Sequence, residues 1–168
     1  KSTDGLNWTR HTPSGLLSRT VERPAALCRS DKLGVYILAT YYSTSGANKG
    51  IHIYKSEDGL SWEQIYFIPY SSYYARYASM ASNEELGVIS LVITTSFSSS
   101  VTKGRPVALL TQDLTTWVEI DSGEENAYKR AQISRGLHWS PSLQSFVCCV
   151  VDIQTGVSRN PMKLVITK

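Results

Sequence analysis

Charge is scarce in this chain. Charged residues make up 18% of its 168 residues, against the roughly 25% usual in soluble domains. The net charge is only +3, and no block of like charge reaches five residues. Neither a nucleic-acid-binding stripe nor a charged disordered tail is expected. No apolar run approaches the roughly 18 residues of a membrane span, so none is expected. Cysteine is limited to Cys28, Cys148 and Cys149. An odd number, two of them adjacent and no C-x-x-C, gives no disulfide framework and no zinc motif. They read as small buried strand residues. His11, His52 and His138 are far apart, so no metal site is expected. A G-x-S-x-G elbow and a Gly-rich phosphate loop are both missing, and no cofactor is expected. No segment carries a 3.6-residue period with caps, which argues against any long helix. The first residue is Lys1, so either a leader was removed or the chain is a piece of something longer. The length by itself reads as one domain with a proper core.

What is plentiful is Ser, Thr and aromatic residues, with 10 Tyr, 4 Trp and 42% apolar residues overall. They are arranged in a repeat. Ser2-Thr3-Asp4-Gly5-Leu6-Asn7-Trp8, Ser56-Glu57-Asp58-Gly59-Leu60-Ser61-Trp62 and Thr111-Gln112-Asp113-Leu114-Thr115-Thr116-Trp117 share the template S/T-x-D-(G)-L-x-W, with starts 54 and 55 residues apart. The third copy lacks the Gly. Alternating apolar runs, Ile51 to Tyr54 and Val107 to Leu110, precede the later two copies, and strand-like runs follow them. The motif therefore sits in a hairpin turn. Asp and Ser/Thr side chains bond backbone N–H groups nearby, Gly allows positive φ, and the Trp closes the hairpin onto the core.

Two further strand-like runs lie between copies. One is Ala25 to Cys28, matched by Ala78 to Ala81 and Gly136 to Trp139. The other is Leu33 to Ala39, matched by Leu86 to Val92 and Ser145 to Val151. Each repeat thus holds four antiparallel strands, a to d, in about 55 residues, the signature of a β-propeller blade. The turn between c and d resembles the Asp-box, or BNR repeat, of sialidase-like propellers. The fold class expected is all-β, with about three blades in residues 1–168 and blade boundaries near 22, 75 and 129. The chain starts at a c–d turn and strand d and ends on a strand c. It reads as half of a six-bladed ring or part of a larger propeller, completed by self-association or by a longer parent chain. The resemblance implies a structural role for Ser2, Asp4, Gly5, Trp8, Ser56, Asp58, Gly59, Trp62, Thr111, Asp113 and Trp117, because Asp-box turns in that family sit away from the active site.

Function is expected on the opposite face, built from the longer b–c loops and d–a crossovers. These carry Tyr41, Tyr42, Tyr73, Tyr74 and Tyr128 among many hydroxyl residues, a composition suited to sugars or protein surfaces. Arg23 precedes strand a of the first full blade, and Arg76 holds the same place 53 residues on. Arg130 is a third candidate that needs a shift of three residues, with Arg135 as its rival. Guanidinium forks hold carboxylates bidentately, and the set is similar to the arginine triad with which sialidases hold the sialic acid carboxylate. The plainer reading is that each arginine anchors its own blade through carbonyl hydrogen bonds. A sialidase also needs a Tyr nucleophile, a Glu and an acid/base Asp. Glu22, Glu124, Glu125, Asp121 and Asp152 are the acids in reach, and no Glu–Tyr pairing is assignable. No catalytic residue is named. The reading is a non-catalytic propeller that binds a glycan or protein receptor, with no nucleic-acid partner. By analogy it sits outside the cell or on a virion, as a cell-surface or phage-tail adhesin. The alternatives are a sialidase-like glycosidase and a structural assembly module.

Overall fold

The computed structural model describes residues 2, 4–17, 22–42, 47–69, 74–96, 104–121, 131–133, 136–148, 150–152 and 162–165. Among them every regular element is a strand, and every strand pairs antiparallel.

The first sheet is built from β1 (Glu22–Ser30), β2 (Val35–Tyr42), β3 (Gly50–Ser56) and β4 (Glu63–Pro69), in that order. The second repeats it with β5 (Tyr74–Asn83), β6 (Val88–Ser96), β7 (Gly104–Thr111) and β8 (Val118–Asp121). Neighbours in sequence are neighbours in space, as hairpin connections dictate. The third repeat is broken into shorter pieces: β9 (Ala131–Ile133), β10 (His138–Ser140), β11 (Ser145–Cys148), β12 (Val150–Asp152) and β13 (Met162–Val165). There β10, β11 and β13 form one sheet, while β9 and β12 form a separate pair.

The registers make the repeats superimposable. Each first hairpin pairs residue i with i+5: Ser30 with Val35, Asn83 with Val88, and Ser140 with Ser145. Equivalent positions therefore lie 53 and then 57 residues apart. A bulge follows in each full sheet, between Pro24 and Ala26 and between Ala75 and Tyr77. In the third repeat the ladder shifts by two residues, so that Ile133 meets Val150.

The sheets stack face to face, because strand residues alternate sides and both sides of the middle sheet are apolar. Ile37, Ala39, Ile51 and Ile53 of the first sheet meet Met80, Ile89, Leu91 and Leu109 of the second. On the other side, Val88, Val92 and Ala108 meet Leu137, Phe146 and Cys148 of the third. Burying each such aliphatic chain is worth about 1.5–3 kcal/mol. The first strands of successive repeats lie side by side, β1 against β5 and β5 against β9 and β10. Trp117 reaches back across the stack and lies against Tyr66 of β4, ring centres 5.6 Å apart.

The N-terminal segment differs from its expected form. After Trp8 there is no strand d; residues 9–13 are irregular, and Ser14 makes one isolated parallel bridge to Ser61. The Ser14 N–H donates to the Leu60 carbonyl (2.9 Å), and the Trp62 N–H donates to the Ser14 carbonyl (3.1 Å). Gly15 permits this approach: its φ is +82°, and a Cβ there would lie 1.8 Å from the Trp62 carbonyl oxygen.

Candidate functional site

The order of strands sorts the connections onto two ends. The β1–β2 and β3–β4 turns share one end of the first sheet, as do their counterparts in the second. The β2–β3 and β6–β7 loops, with the starts of β1 and β5, share the other.

The turn end is a tightly bonded scaffold. In the Ser56 turn, Asp58 Oδ1 accepts the Ser61 N–H (2.8 Å), the Leu60 N–H (2.7 Å) and the Ser56 hydroxyl (3.0 Å). The Gly59 N–H donates to Ser56 Oγ at 2.9 Å. The Ser2 turn repeats this with Asp4 accepting from Asn7, Leu6 and Ser2, and the Thr111 turn repeats it with Asp113 accepting from Thr116, Thr115 and Thr111. Hydrogen bonds to the charged form favour it. The Ser61 and Leu60 amides and the Ser56 hydroxyl hold the Asp58 carboxyl down at about 2. The Asn7 amide leads the set that holds Asp4 low, and the Thr116 amide leads the set on Asp113. These carboxylates are committed to backbone amides and have no proton to exchange near neutrality, which suits scaffolding and not acid–base chemistry.

At the same end, Glu84 ties the first two repeats together. Its Oε2 accepts the Lys32 N–H (2.8 Å) and the Ser30 hydroxyl (3.3 Å), while Lys32 Nζ donates to the Glu85 carbonyl and Ser82 Oγ to the Arg29 carbonyl, each at 3.0 Å. Burial pushes the Glu84 carboxyl up, but hydrogen bonds from Ser82, Lys32 and Ser30 outweigh it and leave it below its usual range. The Cys28 thiol nearby is pushed up to about 12, first by burial and then by the Glu84 charge. It is not a ready nucleophile at neutral pH.

The loop end carries the residues singled out for binding. Arg23 stands opposite Tyr41 in the β1–β2 ladder, and Glu22 opposite Tyr42. Tyr74 stands opposite Ser96, and Arg76 occupies the bulge between Ala75 and Tyr77. Because β1 and β5 are neighbours, Arg23 and Arg76 begin adjacent strands at one end of the stack. Only the backbone is described at Arg23, Tyr74 and Arg76. Tyr41 and Tyr42 are both half-buried. In the third repeat, Gln132 faces Val151, the counterpart of Tyr41, and Ala131 faces Asp152. Tyr73, Tyr128, Arg130 and Arg135 lie outside the described residues, as do Glu124 and Glu125.

Residue-by-residue reading missed the anchor beneath this end, His52. The ring is buried, stacks on Phe67 with centres 4.5 Å apart, and meets the edge of Tyr42 at 6.2 Å. Nε2 lies 2.8 Å from the Asn48 carbonyl, and Nδ1 lies 3.0 Å from Gln64 Oε1. A carbonyl only accepts, so Nε2 carries a hydrogen and donates it. His52 thus pins the C-terminal end of the β2–β3 loop to β4. The signal in the sequence was its place inside an alternating apolar run, where a polar residue must find partners. Among the described residues no three His, Cys, Asp or Glu side chains come together as a metal site, and no helix is long and apolar enough to cross a membrane. No protein-family model matches the chain, and no curated protein matches it.

Proposed function

We propose that this chain is a non-catalytic binding module of the Asp-box propeller type, recognising a glycan or protein surface through its loop-rich end. One observation carries the reading: the two ends of the stack are chemically divided. The S/T-x-D turns spend their carboxylates on backbone amides at one end. At the other, Arg23 and Arg76 lie near the starts of adjacent strands, beside the tyrosines that end β2 and begin β5. Propeller geometry is supported by four-stranded antiparallel sheets stacked with their first strands side by side. Arginine forks offered from a rigid scaffold suit an acidic ligand, and tyrosines supply flat apolar area with a hydroxyl handle. An acidic sugar or an acidic protein surface has this chemistry. A virion or cell-surface adhesin is the setting that the hydroxyl-rich, weakly charged composition favours.

A glycan array carrying acidic and neutral oligosaccharides tests the reading. Acidic sugars should be retained, and Arg76→Ala should weaken the best of them by about tenfold to a hundredfold, the cost of losing a charge-assisted pair of roughly 1.5–3 kcal/mol. Unchanged affinity in Arg76→Ala contradicts the arginine site. Turnover of a fluorogenic sialoside by the wild-type chain contradicts the non-catalytic reading.

A further inference from the structure

We propose that the hollow between the Ser56 turn and the following repeat is a ligand site on the turn end, separate from the loop end, and that it takes a neutral sugar unit. The hollow has a volume of about 630 Å³, and Val35, Lys55, Glu57, Ser61, Glu63 and Leu114 are in its wall. That size falls within the roughly 300–1,000 Å³ of small-molecule sites. The first repeat supplies most of the wall, and Leu114 in the turn of the second repeat supplies another part. It is therefore bounded by repeats that both lie within this chain.

The repeats show which of these groups the scaffold needs. The second repeat has the equivalent hollow, of about 380 Å³. Its matching positions lie 55 residues on: Leu110 for Lys55, Gln112 for Glu57, Thr116 for Ser61 and Val118 for Glu63. The turn bonds are the same in both, with Asp58 and Asp113 accepting the corresponding amides. The rims differ. Lys55 faces Glu63 across the β3–β4 ladder, with Nζ 3.1 Å from Oε2, where the second repeat pairs Leu110 with Val118. An apolar pair thus builds the same strands, and an exposed ion pair adds little to stability. The charges on the first rim are surplus to the fold.

Together they can hold hydroxyl groups. The Lys55 ammonium donates, the Glu57 and Glu63 carboxylates accept, and the Ser61 hydroxyl does either. Asp58, also in the wall, spends Oδ1 on the turn. Its Oδ2 is met by the Ser61 hydroxyl at a long 3.4 Å, which leaves an acceptor for a guest. Val35 and Leu114 add apolar surface. Donors and acceptors interleaved beside an apolar wall suit the hydroxyl edge and the C–H face of a sugar ring. The carboxylates turn away an acidic guest, and the ammonium of Lys55 disfavours a cationic one. The two ends of the stack therefore select different ligands.

The test is a titration of the isotope-labelled chain with the methyl glycosides of glucose, galactose, mannose and N-acetylglucosamine, followed by amide chemical shifts. At least one should move the amides of residues 55–63 and of Leu114, with a dissociation constant of roughly millimolar order. Lys55→Leu combined with Glu63→Val, the pair that the second repeat carries, should weaken that binding about tenfold or more. Arg76→Ala should leave it unchanged. Far-ultraviolet circular dichroism and the thermal midpoint show whether the double variant folds. Should it not, Glu63→Gln keeps the shape of the side chain and should weaken binding severalfold. Three results overturn the proposal: no glycoside moves these amides, the double variant (or Glu63→Gln in its place) binds like the wild type, or a lysine-rich peptide moves them where the glycosides do not.

Discussion

Leu114 carries a φ of 65° at the turn position where Gly5 and Gly59 both have 73°. A side chain in the left-handed region costs about 1–2 kcal/mol, so the third turn keeps its shape against its own sequence. It does so because Thr111 and Asp113 satisfy the same amides as in the other turns, and because Leu114 packs against the core between the first two sheets. Gly59 has no such compensation available. The nearest atoms to an added Cβ are those of the Tyr36 ring at 4.0 Å, so space is not the obstacle and conformation is. Gly59→Ala should therefore cost about 1–2 kcal/mol in a denaturant titration; no loss would mean the turn does not hold this conformation in solution. Asp58 makes a pH prediction. Its carboxyl lies at about 2 against an ordinary 3.8, so its contribution is complete above about pH 4 and is lost only as pH falls through that lower value. Carbon-detected titration of Asp58 should find a midpoint near 2. The sequence showed that these aspartates serve turns. It could not show that Leu114 takes the glycine's place, since the cost is met by contacts with a neighbouring sheet.

At the scale of strands, period-2 alternation was enough to find the four strands of each full repeat, because Ile51 to Tyr54 and Val107 to Leu110 bury one or both faces. It was not enough for the third repeat, where β9 and β12 pair out of step with β10 and β11. Nor could it reveal that the segment after Trp8 makes a single bridge and no ladder, because pairing depends on a neighbour that the local pattern does not contain. The middle sheet carries most of the packing. Leu91 is fully buried between repeats, so Leu91→Ala should cost about 2–5 kcal/mol. Leu27→Ala, at a leucine on the outer face of the first sheet that is 59% exposed, should cost less. Equal losses at the two positions would contradict the stacking order.

For the whole molecule, the division between a bonded turn end and a tyrosine- and arginine-bearing loop end is the claim on which function rests. The loop end was legible only as a list of residues. The strand order is what gathers Arg23, Arg76, Tyr41 and Tyr42 at one end, and the pin supplied by His52 depended on partners twelve residues away in sequence and across a sheet. The most direct measurement is amide hydrogen exchange of the chain with and without an acidic oligosaccharide retained on the glycan array. Added protection is expected at the starts of β1 and β5 and at the ends of β2 and β6, with the Ser56 and Thr111 turns unchanged. Protection confined to those turns, with none at the loop end, would contradict the account.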